Sequence, residues 1–269
     1  MRRISEGFLL VRNPVRYHQV SRVSLDPSVV DGFVFWTKNP EPMMPCLSSF
    51  PYPFYFHYTL NGYGPDMEIN LPSLEKRIET FKRLSSLVGK ERVIWRYDPI
   101  ILDHTYSVRF HEEMFSFLAS SLSGFTDQVT ISFVDPYAHV KGIEAVSIAE
   151  QQELAGMVAS VSSRCGMRAV SCAETESFPG ISHGCCVDPS RLGISSPVPK
   201  DRSQRGSCLC ASSVDIGCYD TCGNGCRYCY ATRRGAKARL YDVSSPLLCS
   251  AVEEEDTIVE RRMVSYRSS

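Results

Sequence analysis

Six short runs rich in aromatic and β-branched residues punctuate the first two thirds of the chain: FLLVRN (8–13), GFVFWTKN (32–39), FYFHYTL (54–60), RVIWRYD (92–98), QVTISFVD (128–135) and RAVSCA (168–173). They are mostly apolar, as strands covered on both faces should be. Between them lie segments in which apolar residues recur every three or four positions. In SLEKRIETFKRLSSLVG the stripe is Leu74, Ile78, Phe81, Leu84 and Leu87, with Ser73 placed to cap the start and Gly89 the end. A second helix is predicted over about 107–122 through Phe110, Met114, Phe117 and Leu118, and a third over about 148–165, stopped by Gly166. Strand and helix alternating in this way is the pattern of βα units around a parallel sheet.

Each strand run ends in polar or turn-forming residues: Arg12 and Asn13, then Thr37, Lys38 and Asn39, then Asn61, then Arg96 and Asp98, then Asp135, then Glu174 and Thr175. In a parallel barrel these ends share one face, where active sites are built. Lys38, Asn39, Arg96 and Asp98 are therefore pocket candidates, since charge at a strand end is costly unless it is paired or open to a cavity. Arg96 and Asp98, two apart on a strand, should point to the same side, either as an ion pair bracing the sheet or as a substrate contact. Trp36, Trp95 and Tyr97 read as barrel core, and His57 as a satisfied interior histidine. His104 and His111 have no metal spacing with a third ligand.

The regular alternation stops at Glu174, where Gly, Pro, Ser and Cys take over. The organisation expected is a βα barrel over 1–173 and a cysteine-rich, cluster-binding region over 174–269 packed on it, its closing stretch peripheral or frayed. A chain of 269 residues with 43% hydrophobic and 22% charged residues fits one main globular domain. A formal charge of −1 gives no net pull toward nucleic acid or lipid, and the basic run RRGAKAR (233–239) reads first as a solvated loop. No apolar run approaches the roughly 20 residues of a membrane span, and MRRISEGFLLVRNP lacks the features of a secretory signal. A cytoplasmic protein is expected. Twelve cysteines in a reducing compartment point to metal or redox chemistry rather than disulfides.

TCGNGCRYCYA (221–231) sharpens that reading. Cys222, Cys226 and Cys229 have the spacing CxxxCxxC, which can hold three corners of a [4Fe–4S] cubane and leave the fourth iron open. Gly223, Asn224 and Gly225 can take positive φ and let a short loop wrap tightly. A bacterial ferredoxin run is absent, a zinc ribbon would need a second CxxC knuckle, and a thioredoxin-type pair would open a helix after an early strand. Zinc stays open as the lesser alternative.

The motif, with Tyr228 just before its last cysteine, resembles the cluster loop of the radical S-adenosylmethionine superfamily. There the open iron is chelated by the amino and carboxylate groups of S-adenosylmethionine, and one electron splits the sulfonium to a 5′-deoxyadenosyl radical. Those enzymes usually carry the loop after the first barrel strand, whereas here the barrel must precede it. That order, with FVFWTKNP, VIWRYDPI, SCAE, QRGSCLC and SVDIGCYDTC, resembles the uncharacterised prokaryotic domain of unknown function family 1848 over nearly the whole chain. Members usually begin with a strand like SASRRTDIP ahead of a helix resembling MRRISEG. This chain starts inside that helix, either because its start is assigned too late or because the first strand is lost, and the resemblance implies a TIM-like βα barrel, partial or N-terminally shortened, with a C-terminal iron–sulfur region.

The resemblance also places Cys172, Cys186, Cys208 and Cys210 in the family pattern, as ligands of a second, fully ligated [4Fe–4S] cluster or of a structural zinc, and leaves out Cys185 and Cys218. It implies Tyr228, and Glu174 after the SCA strand end, as contacts to S-adenosylmethionine, although the usual GGE motif is missing. The function expected is hydrogen abstraction from an unknown substrate, with a reductant such as a flavodoxin or ferredoxin. Two other classes compete: a non-catalytic iron–sulfur protein for electron transfer or redox sensing, and a zinc-stabilised module, with Arg233, Arg234, Lys237 and Arg239 as its nucleic-acid contacts.

Overall fold

The computed structural model describes residues 1–137, 140, 142–204, 207–232 and 240–267. The RRGAKAR run lies outside them. A one-turn helix α1 (Arg2–Glu6) leads into β1 (Phe8–Arg12) and β2 (Gln19–Ser24), followed by β3 (Phe33–Thr37), β4 (Phe54–Thr59), α2 (Leu74–Val88), β5 (Val93–Ile100), α3 (Val108–Leu122), β6 (Gln128–Phe133), α4 (Ile148–Arg164), β7 (Arg168–Cys172), β8 (Ser182–Gly184) and β9 (Thr257–Glu260). Strands β3 to β8 form one all-parallel sheet in sequence order. Among the described residues, β3 and β8 each have a strand neighbour on one side only.

The three predicted helices form where the apolar stripes and caps lie. Ser73, Ser107 and Ser147 each accept a hydrogen bond from the backbone three residues on, and Ser147 with Glu150 completes a capping box. Gly166, at φ 71, turns the chain out of α4. Within the sheet, side chains alternate between two covered faces. Phe54, Phe56 and Tyr58, with Val93, Trp95, Tyr97, Val129 and Ile131, pack on Ile78, Phe81, Leu84, Phe115, Leu118, Leu154 and Val158 of the helices. On the opposite face Tyr55 and Ile94 pack on Leu192 and Ile194 of the cysteine-rich segment, together with Val34, Val198 and Tyr266. The cysteine-rich segment thus lies across the inner face, and β8 within it extends the sheet.

Two expectations are corrected, and one left with alternatives is decided. FLLVRN does not open a βα unit. The Asn13 side chain accepts hydrogen bonds from Val15 and Arg16, both at 2.9 Å, and folds the chain back, so that β1 pairs antiparallel with β2 in a separate small sheet. The closing stretch is peripheral but not frayed: β9 pairs parallel with β2, and Asp256 takes Arg12 in a bidentate pair at 2.5 and 2.7 Å. Trp36 is not core. It is 51% exposed on edge strand β3, stacked on His57 at 5.3 Å, while Trp95 and Tyr97 are buried as expected.

Among the described residues no helix is long and apolar enough to cross a membrane.

Two measurements test this packing. Leu84 is fully buried, whereas Leu87, in the same stripe, is 50% exposed. Leu84→Ala should lower unfolding stability by about 2–5 kcal/mol, and Leu87→Ala by no more than about 0.5 kcal/mol, in urea denaturation. His111 is buried between the Tyr97 hydroxyl at 2.7 Å and the Ile101 carbonyl at 2.8 Å, and burial lowers its pKa. Below the ordinary histidine value of about 6.5 the unfolded chain takes up a proton that the native ring refuses, so stability falls as pH falls toward the lowered native value. The loss of stability between pH of about 7 and about 5 should be smaller in His111→Gln than in the parent chain.

Candidate metal centre

The CxxxCxxC loop is seated on the loop that follows β4, beyond the carboxyl end of that strand. Glu68 and Cys226 form an antiparallel bridge, and the Arg227 N–H donates to the Met67 carbonyl at 2.9 Å. Asn70 donates twice, from its backbone to the Asn224 carbonyl at 3.0 Å and from its side chain to the Gly223 carbonyl at 2.8 Å. The Asp220 N–H closes the loop's base on the Ala231 carbonyl at 2.8 Å. Of the three residues expected to allow positive φ, Gly225 alone uses it, at φ 69, where an added Cβ would lie 3.0 Å from the Asn70 side chain.

Tyr228 anchors the loop. Its side chain is 7% exposed, and its hydroxyl donates to the Glu68 carboxylate and accepts from Asn61 Nδ2 at 3.3 Å. Glu68 is itself buried and holds two cations, Lys38 at 2.9 Å and Arg77 at 2.6 Å. Burial, then Glu68, raises the tyrosine pKa far above its usual value, so the phenol stays a donor. Lys38 Nζ also lies 5.3 Å over the Tyr228 ring. Four segments meet here: the end of β3, through Lys38 just after it; the β4 loop, through Asn61 and Glu68; α2, through Arg77; and the cysteine loop.

Cys222 is exposed, while Cys226 and Cys229 are partly buried. Burial pushes the Cys226 thiol up to about 11, against the pull of Lys38. A desolvated thiol of this kind becomes a thiolate when a metal supplies the compensating charge. Three cysteine sulfurs on one tight turn, one exposed and two partly buried, with a cation beside them, fit an iron–sulfur cluster in donor type and number, although they do not converge within 4.8 Å of one another.

The second set comes together inside the sheet. Cys186, Cys208 and Cys210 are buried in one pocket with Cys172 and Cys185 at its edge. Cys172 and Cys186 place their sulfurs 3.0 Å apart, and Cys210 Sγ accepts from the Cys186 N–H at 3.1 Å. Tyr55 and His57 both bind the Cys186 carbonyl, at 2.6 and 2.8 Å. Burial, then Arg96, lowers the His57 pKa to about 3, so its ring is neutral, and its Nδ1 has no partner. Ala173, at φ 57, turns the chain directly after Cys172.

Between the two sets stands the Arg96–Asp98 pair, on one side of β5 as the spacing required. Arg96 Nε donates to Asp98 at 2.8 Å, Nη1 donates to Cys186 Sγ at 2.8 Å, and Ser132 donates to the same carboxyl group. Burial works against the Asp98 carboxylate, but Arg96 and Ser132 outweigh it and hold its pKa below the usual value. Asn61 brackets the Asp98 backbone with two 2.9 Å hydrogen bonds. A continuous thread therefore runs from Cys186 through Arg96, Asp98 and Asn61 to Tyr228.

Asn39 accepts from the Glu41 N–H at 3.2 Å in a turn, and Glu174 accepts from the Phe133 N–H at 2.9 Å at the end of β6. Sequence reasoning missed Glu68, Asn70 and Arg77. GYGPDMEINLP reads as a loop, and nothing in its pattern separates Glu68 from Asp66. Cys185, left out as a ligand, lies at the rim of the sulfur pocket. On the surface His18, Glu253 and Glu255 bring ligand atoms within 4.8 Å of one another, and all three are exposed.

The profile of a family described as Domain of unknown function (DUF1848) matches residues 1–231. No curated protein matches the chain.

The anchor can be loosened without touching a sulfur. Tyr228→Phe removes a hydrogen bond to a carboxylate, a loss of about 1.5–3 kcal/mol. Hydrogen exchange should show amides of the 221–231 loop exchanging faster while those of α2 and α3 stay protected. Glu68→Ala, which strands the buried Arg77 and the partly buried Lys38, should cost about 3–5 kcal/mol of global stability.

Proposed function

The chain belongs to the DUF1848 family, and from that premise we propose that it is a cytoplasmic radical S-adenosylmethionine enzyme built on an open TIM-like barrel, with a [4Fe–4S] cluster on Cys222, Cys226 and Cys229. The observation that carries the reading is the seating of that loop, by Tyr228 on Glu68 and Lys38, beyond the carboxyl end of a parallel sheet. Catalytic groups gather at that end of parallel α/β folds. When bound, the cluster supplies an open iron for the amino and carboxylate groups of S-adenosylmethionine and the electron for reductive cleavage, which delivers a 5′-deoxyadenosyl radical for hydrogen abstraction.

The chain's own residues support this chemistry in distinct ways. Lys38 brings a cation next to the thiolates and to any carboxylate bound there. Tyr228 fills the space behind the loop and keeps water from it. Gly225 lets the backbone turn between Cys222 and Cys226. Trp36, half exposed and two residues before Lys38, offers an open aromatic face to a planar group. Cys222, the exposed cysteine of the three, gives a one-electron reductant such as a flavodoxin or ferredoxin its nearest approach.

The test is anaerobic reconstitution with iron and sulfide, reduction by dithionite, and chromatography for 5′-deoxyadenosine after adding S-adenosylmethionine. The parent chain should form it, and Cys226→Ser should not. A reduced, intact cluster that never cleaves the cofactor with any candidate substrate, and whose spectrum ignores S-adenosylmethionine, would instead identify an electron carrier. Zinc without iron and sulfide in anaerobically purified protein would remove both readings.

A further inference from the structure

The buried guanidinium of Arg96 lies between a carboxylate and a sulfur, and each of its neighbours is held in turn. Asp98 takes Nε at 2.8 Å and also binds Nη2, while Nη1 donates to Cys186 Sγ at 2.8 Å. Ser132 and Asn61 fix Asp98, and Tyr55 and His57 fix the Cys186 peptide through its carbonyl. Arginine keeps its charge at any working pH. Asp98 offsets that charge, so structure alone does not require the third N–H to be aimed at a sulfur. That sulfur belongs to the pocket shared by Cys172, Cys208 and Cys210.

We infer that Arg96 is a positioning residue that sets the reduction potential of a redox-active iron–sulfur cluster held by Cys172, Cys186, Cys208 and Cys210. Three buried thiols, with Cys172 at the pocket's edge placing its sulfur 3.0 Å from that of Cys186, supply the ligand number of a fully ligated cluster. A hydrogen bond to a ligand sulfur and a fixed positive charge both favour the state carrying the extra electron, and so raise the potential. The step is uptake of a single electron from a low-potential donor, with no bond made or broken. It concerns different cysteines from the S-adenosylmethionine reading and stands or falls separately.

The experiment uses the full chain with Cys222, Cys226 and Cys229 all changed to Ser, so that the inner pocket alone reports. Anaerobically purified, it should retain iron and acid-labile sulfide and give a signal that dithionite reduces reversibly. In that background the double variant Arg96→Gln/Asp98→Asn, which leaves no lone buried charge, should reduce at a more negative potential. The expected change is at least tenfold in the equilibrium constant, about 59 mV for one electron. Asp98→Asn alone, which leaves the guanidinium unbalanced, should shift it the other way, and opposite signs are not what a merely structural pair would give. Zinc without iron in the background chain would remove the cluster. Iron retained with unmoved potentials would remove the role of Arg96. Should the double variant fail to hold iron, Asp98→Asn decides, and a potential that does not rise overturns the proposal.

Discussion

The Glu68 carboxylate is the constraint on which the candidate centre depends. A buried carboxylate is tolerated only when its lone pairs are taken up, and here they are shared among a lysine just after β3, an arginine from α2 and a tyrosine from the cysteine loop. Each partner belongs to a different segment. The same group that would be intolerable alone therefore fixes three separate segments relative to one another. The loop's position is a consequence of charge balance as much as of packing.

The sheet divides the labour between its faces. Its outer face is a close-packed layer of aromatic and aliphatic side chains against three helices, and Tyr228 joins that layer. Its inner face starts apolar at Tyr55 and Ile94 and becomes polar toward Arg96, Asp98 and Ser132, where the buried cysteines lie. Because β4, β5 and β6 must satisfy both faces, their sequences read as nearly continuous apolar runs broken by a few charged positions. Those few positions are where the two sulfur sets are connected.

Much of this was legible in advance. The strands of the parallel sheet from β3 to β7 and the helices α2 to α4 follow from period and caps, and Arg96 with Asp98 followed from their spacing on a strand. What could not be read was topology that depends on turns and distant pairing. An Asn-Pro turn sent β1 into a hairpin, and β9 found β2 across more than two hundred residues. Leu87, Phe117 and Trp36 are apolar by type yet exposed, because a stripe predicts which side of an element faces the core without predicting how far the neighbouring element extends. Glu68 was invisible for a related reason: a buried charge is recognised by its partners, and Tyr228 lies 160 residues away.

That separation orders events during synthesis. Translation delivers β3 through β7, with Glu68, Lys38 and Arg77 among them, well before the TCGNGCRYCYA segment emerges, and domains tend to fold as they appear. The thiols of Cys222, Cys226 and Cys229 would therefore meet a docking surface already waiting, and capture of a metal at that loop would be a late step in maturation rather than its nucleus.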